Sequence, residues 1–224
     1  MIGANLIRRL INEGFEIHLL LRSNRNRIRL QGLEKYIQVH DGDITDINTV
    51  DQAVQAANPS VVYHLASTPF NPPGLAPEIH FNVNVLGTIN LLKCIQTIPD
   101  TVLIFTGSAA VYGNGSQLAE SGPMEPATLL GASKGCASLL LQTYARLHGT
   151  RTAELRVFGA YGPWEHARRL IPHVIYSALD RQDVQMTHGL QQRDFIYVDD
   201  VVDALLLTAK TSLKPGSVFN IGSG

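Results

Sequence analysis

The chain has 224 residues, a formal net charge of -1, 45% hydrophobic and 17% charged residues, an ordinary globular balance with enough apolar side chain to bury a sizeable core. Near-neutral charge without a run of five like charges gives no electrostatic reason to expect nucleic acid or an anionic membrane as partner. No stretch reaches the ~18 apolar residues of a membrane span, and Cys94 and Cys136 lack metal-ligand spacing, which fits two buried packing residues in a reducing, cytoplasmic compartment.

In chain order, Ala4 to Asn12 places Leu6, Ile7, Leu10 and Ile11 on one helical face before Gly14 ends the helix. Apolar runs rich in branched residues follow as strands: Glu16 to Leu21, Ile37 to His40, Val61 to Leu65, Val102 to Phe105 and Thr152 to Val157. Helical patterns separate them, notably Val83 to Ile95 and Ser133 to Leu147. This alternation predicts an α/β fold, a doubly wound parallel sheet. The Pro-rich loop Pro69 to Pro77 follows a strand end, which suits either a substrate-contacting loop or a plain surface connection.

Several motifs carry chemistry. The opening Met1-Ile2-Gly3-Ala4-Asn5 looks like the last glycine of a dinucleotide-binding fingerprint, read here as a fragment without the first strand and earlier glycines. Nineteen positions on, Arg22, followed by Ser23, stands where an Asp or Glu would accept from a ribose 2′-hydroxyl; a guanidinium fork instead suits a 2′-phosphate, so NADP is favoured over NAD. The competing reading makes Arg22, Arg25, Arg27 and Arg29 a solvated loop. Asp41-Gly42-Asp43-Ile44-Thr45-Asp46 follows the second strand, and Asp46 alone suits a helix cap. Further on come Tyr63-His64-Leu65-Ala66-Ser67, Asn84-Val85-Leu86-Gly87-Thr88, Phe105 to Gly113 with Ser108 at its centre, and Leu130-Gly131-Ala132-Ser133-Lys134. Leu155-Arg156-Val157-Phe158-Gly159-Ala160-Tyr161-Gly162-Pro163, Leu170-Ile171-Pro172, Arg193-Asp194-Phe195-Ile196-Tyr197-Val198-Asp199-Asp200 and Phe219 to Gly224 complete the set.

In this order the motifs resemble the extended short-chain dehydrogenase/reductase family, the NAD(P)-dependent nucleotide-sugar epimerases, dehydratases and ketoreductases. The resemblance implies a Rossmann-like domain over residues 1–160 and part of a small substrate-binding region, interleaved with the sheet, over 161–224. In the usual strand order 3-2-1-4-5-6 the missing first strand is internal, so Glu16 to Leu21 and Val61 to Leu65 are expected to have unpaired edges. It also implies roles. Asp43 accepts from the adenine amino group and Ile44 packs on the ring. Leu65 and Ala66 let backbone approach the cofactor, Asn84 supports the active site, and Phe158 neighbours the nicotinamide. Ser108 bonds the substrate oxygen, while Lys134 binds the nicotinamide ribose. Leu170 borders the substrate nucleotide and Arg193 grips its diphosphate. His64 reads as packed rather than catalytic. A homodimer through the helices Val83 to Ile95 and Ser133 to Leu147 is implied as well.

Two positions depart from the pattern. Leu130 occupies the place of the tyrosine whose phenol trades a proton, so this chain is an inactive relative, an enzyme with its acid–base group elsewhere, or an inactivated variant. Tyr112 and Tyr161 are the obvious substitutes. Gly159 stands where an asparagine often touches the substrate diphosphate. Ala109-Ala110 replaces the acidic pair of the 4,6-dehydratases, which leaves an epimerase, a 4-ketoreductase, or a catalytically silent nucleotide-sugar or dinucleotide binder. No metal site is expected.

Overall fold

The computed structural model describes residues 1–22, 27–68, 75–184, 186 and 188–224. Ser23, Arg25 and residues 69–74 of the Pro-rich loop lie outside the described residues. Helix α1 (Ile2–Asn12) buries Leu6 and Ile7 on one face, and the chain reverses at Gly14, whose φ of 79° favours glycine. Helix α2 (Ile47–Ala57) starts at Asp46, whose side chain accepts from Asn48 N at 3.0 Å, so the cap reading holds. Helix α5 (Leu129–His148) starts likewise at Thr128, which accepts from Gly131 N at 3.0 Å, and ends at left-handed Gly149. These caps supply acceptors for N–H groups that a helix leaves without internal partners.

The strands are β1 (His18–Leu21), β2 (Gln38–Asp41), β3 (Val61–His64), β4 (Val102–Ser108), β5 (Arg151–Val157), β6 (Gly159–Tyr161), β7 (Phe195–Tyr197) and β8 (Ser217–Ile221). All pairings are parallel, in three groups: β1-β2, β3-β4-β5-β8 and β6-β7. Among the described residues no ladder joins β1 to β3.

Alternation along β4 divides the core. Ile104 joins Leu6, Leu155, Val157, Val201 and Leu205 beneath α1 and α7 (Val198–Lys210). Leu103 and Phe105 face the other way, onto Val50, Leu92 and Leu141 of α2, α4 (Gly87–Ile95) and α5. Each such side chain contributes about 1.5–3 kcal/mol when fully buried. Helix α6 (Leu170–Leu179) buries no residue fully, and no described helix is long and apolar enough to cross a membrane.

Two expectations need correction. The helix read from Val83 starts earlier, at α3 (Pro77–Phe81), and passes through one wide turn, Asn82–Leu86, before α4. There the Asn84 carbonyl accepts from Thr88 Oγ1 at 2.6 Å, a side-chain bond that accompanies the widened turn. Cys136 is not a packing residue: Cys94 is buried, whereas Cys136 is exposed on α5, and both are free. Replacing Asp46 by Ala is expected to lower the unfolding free energy by about 1 kcal/mol and by Asn only marginally. Urea denaturation of the two variants checks this, and equal losses would contradict the capping role.

Candidate functional site

The C-terminal ends of β1, β3, β4 and β5 gather the predicted residues. Gly3 in the first turn of α1 faces Leu65, just past β3: a Cβ at position 3 would stand 3.4 Å from Leu65 Cδ1, about ordinary van der Waals contact. Ala66 follows, half-buried. Arg22, at the end of β1, places Nη1 3.8 Å from Asp43 Oδ2. The other Asp43 oxygen accepts from Thr45 N at 3.0 Å and Thr45 Oγ1 at 2.9 Å, which fixes the acidic turn. Ile44 is locked between α4 and this turn, because Asn90 Nδ2 donates to its carbonyl at 3.1 Å and its side chain fills the space a Gly87 side chain would take. Arg22, Asp43 and Ile44 thus form one cluster.

Lys134 lies at the centre of the second group of predicted residues. It is 4% exposed, and its ammonium donates to Thr106 O at 2.8 Å and lies 4.5 Å over the Phe105 ring. Burial lowers its pKa to about 8, against the opposing field of Glu154. Thr106 O is its one hydrogen-bond acceptor among the described residues, so an ammonium with three donors has capacity left for ribose hydroxyls. That unused capacity fits a nicotinamide dinucleotide.

Ser108 closes β4, half-buried, with Oγ accepting from Ala110 N at 3.2 Å. Its hydroxyl proton is therefore free of that bond. Position 130 comes close by packing: a Cβ on Gly131 would stand 2.3 Å from Ala110 O, so the first turn of α5 rests directly on the turn after Ser108. Leu130 lies one turn before Lys134, which puts both on one helical face. Asn84, fully buried, accepts from Thr68 N at 3.2 Å and donates to Ser133 Oγ at 2.8 Å, tying the end of β3 to α5 beside Lys134. Ser133 Oγ in turn donates to Leu130 O at 3.0 Å.

The two tyrosines read as candidate acid–base groups are engaged elsewhere. Tyr112 is buried, donates to Asn220 Oδ1 at 2.7 Å and accepts from Arg156 Nη1 at 2.7 Å. Tyr161 packs its ring edgewise on Phe195 and Tyr197. His64 is packed, as expected, with Nε2 2.9 Å from Thr88 Oγ1, its ring tilted on Phe105, and its pKa lowered to about 3 by burial and Lys134.

On the substrate side, Phe158 follows β5 and donates to Ile221 O at 3.0 Å. Gly159 donates to Asp194 O at 2.9 Å, and a Cβ there would stand 2.6 Å from that oxygen, so an asparagine does not fit this backbone. Arg193 and Leu170 are exposed, and no described contact joins either to Ser108 or Lys134. Asp194, which had no predicted role, organises this region: its carboxylate accepts from Ser223 N at 2.8 Å, Ser223 Oγ at 3.0 Å and Gly224 N at 3.3 Å. Burial works against that carboxylate, but these donors outweigh it and hold the pKa below the usual range. Twenty-nine residues separate Asp194 from Ser223, and no local pattern announces such a bond. Glu154 and Arg156 were also missed, although opposite charges two apart inside an apolar strand are a readable signal. Among the described residues no cluster of His, Cys, Asp or Glu suits a metal ion.

Known proteins agree with this geometry. The family model described as NAD dependent epimerase/dehydratase family matches residues 1–222. A sterol-4-alpha-carboxylate 3-dehydrogenase (decarboxylating) of Schizosaccharomyces pombe is 31% identical over 89% of this chain, and a probable UDP-glucuronate 4-epimerase of Rhizobium meliloti is 26% identical over 92%. The chain spans 60% and 64% of these two relatives. The crystal structure of a Bacillus cereus UDP-glucuronic acid 4-epimerase in complex with NAD superposes with a TM-score of 0.88 at 26% identity, over 99% of this chain and 74% of that one. With the fold, the Ser108 and Lys134 arrangement and a family match along nearly its whole length, the chain belongs to the NAD dependent epimerase/dehydratase family.

Proposed function

We propose that this chain carries the dinucleotide-binding part and a portion of the substrate-binding region of an NADP-linked nucleotide-sugar epimerase or 4-ketoreductase, in which Leu130 slows proton transfer. The observation that carries this reading is the convergence of Ser108, position 130 and Lys134, with Asn84 bracing the helix between them. The bound dinucleotide supplies hydride chemistry. The protein's part is positional: Lys134 donates to the ribose hydroxyls, Asp43 and Ile44 take the adenine, and Phe158 flanks the nicotinamide. Ser108 donates its hydroxyl proton to the substrate oxygen, and Arg193 holds the diphosphate as a charged fork. Residues 1–160 thus serve mainly the dinucleotide and 161–224 the substrate.

Ala109 and Ala110 have no acidic group, which disfavours elimination of water and hence a 4,6-dehydratase. The second reading, a silent nucleotide-sugar binder, is favoured by one finding: Leu130 has no ionisable group and the Tyr112 hydroxyl is committed to Asn220 and Arg156. Replacing Leu130 by Tyr is expected to raise turnover about 10²- to 10⁴-fold, the usual contribution of a general acid or base. NADPH absorbance with 4-keto nucleotide sugars measures it. Slow turnover with Leu130 intact supports the enzyme, whereas binding without turnover until Tyr is introduced supports the silent binder. Turnover of a hydroxysteroid with no affinity for nucleotide diphosphates would overturn both.

Arg22 supports the NADP preference. Its contact with Asp43, 3.8 Å and solvent-facing on both sides, is worth at most about 1 kcal/mol, so a 2′-phosphate competes for the guanidinium readily. Arg22→Ala is expected to weaken NADPH binding about tenfold or more while leaving NADH almost unchanged. Equal weakening of both, or a native preference for NADH, would contradict the assignment.

A further inference from the structure

Strand β5 carries Glu154 and Arg156 on the face opposite Leu155 and Val157, each only 2% exposed. Burying two charges costs several kcal/mol per ion before any compensation. Arg156 answers only part of the need of its neighbour. Its Nε stands 3.4 Å from Glu154 Oε1, and neither atom makes a hydrogen bond. The remaining Arg156 donors go to Tyr112 Oη at 2.7 Å, Glu120 O at 3.3 Å and Ser138 Oγ at 3.3 Å.

The other cation on this face is Lys134. Glu154 is the register partner of Phe105 on β4, and partners in a parallel ladder present their side chains to the same face. The Lys134 ammonium lies over that same Phe105 ring at 4.5 Å. Ser138, one turn beyond Lys134 on α5, donates to Glu154 Oε2. Glu154 Oε1 presses on Gly107 so closely that a Cβ there would stand 2.3 Å away, and Gly107 follows Thr106, whose carbonyl holds the ammonium at 2.8 Å. Backbone, ring and helix thus place the lysine and this carboxylate in one layer.

We propose that Glu154 is the counter-charge of Lys134, a positioning residue that keeps the cofactor-side ammonium protonated within the dry layer between α5 and the sheet, with Ser138 and Arg156 holding the carboxylate in place. Burial pushes the Glu154 carboxyl up, while Ser138, Arg156 and Lys134 oppose that rise. For Lys134 the two influences are burial, which lowers its pKa, and Glu154, which raises it. The other titratable groups of the surrounding elements are His64 on β3, kept neutral by burial, His80 on α3, bonded to Thr68, and Tyr112, bonded to Arg156 and Asn220.

The proposal rests on the reading that Lys134 serves the dinucleotide, so the primary readout is the lysine itself. In chain labelled with 13C-lysine, the Lys134 signal is assigned by its loss in Lys134→Arg and titrated. Its midpoint is expected near 8 in the native chain and lower by about one pH unit or more in Glu154→Gln. NADPH affinity, which needs the ammonium, then falls off at correspondingly lower pH in the variant and recovers on acidification. A merely structural role predicts weaker binding by the same factor at every pH. If Glu154→Gln does not fold, the double variant Glu154→Gln with Arg156→Met removes both buried charges together and carries the same titration. An unchanged Lys134 midpoint in either folded variant overturns the proposal. Absence of NADPH binding at any pH overturns the functional reading instead, and leaves the titration to decide on Glu154.

Discussion

An ammonium placed between a helix and a sheet has to be kept charged where water does not reach, and the arrangement of this site follows from that constraint. Lys134 has one carbonyl, one aromatic face and one buried carboxylate around it. Each demands something of the residues nearby. Thr106 O is available because the ammonium reaches the end of β4, and Gly107 lacks a side chain because Glu154 occupies that space. Ser138 repeats one turn after Lys134 so that the same helical face holds both the cation and a donor to its counter-ion. The Thr128 cap, the Gly131 contact and the bond from Asn84 to Ser133 then fix the start of α5 against the turn after Ser108. The site is therefore rigid at its lysine and open at its hydroxyl.

Much of this was legible in the sequence, for definable reasons. Strands β1 to β5 and α1 announced themselves because a parallel strand covered on both faces reads as an apolar run, and an amphipathic helix as a stripe, whereas β8 (Ser217–Ile221) was not read as a strand. β6 and β7, three residues each, carry too little pattern to stand out. The wide turn at Asn82–Leu86 was invisible because the residues on either side of it keep helical spacing. Ser108, Lys134 and Asn84 were singled out through ordered motifs; Asn84 bonds Ser133, next to Lys134, and the start of α5 packs on the turn after Ser108. What stayed hidden was long-range and polar: Asp194 reaching Ser223, Tyr112 closing on Asn220, and Glu154 facing α5. Partners of this kind are set by topology, which a linear reading does not supply. Cys136 was misjudged because a small apolar residue in a helix does not reveal which face it occupies.

Leu130 sits in an ordered setting. Helix α5 is capped, Lys134 is buried with its ammonium on Thr106 O, and Ser108 stands at the strand end. Tyr112 offers no relief, since moving its hydroxyl would strand Asn220 and a buried guanidinium. On the proposed reading, recognition and proton transfer are separable, because Lys134 and position 130 serve different tasks.

The central claim is that the buried ammonium is what holds the dinucleotide. Calorimetric titration of NADPH into the native chain and into Lys134→Met tests it without requiring catalysis. Saturable binding that weakens roughly tenfold or more in the variant, the loss of charge-assisted hydrogen bonds to the ribose, is the predicted result. Equal affinity in the two folded proteins would contradict it.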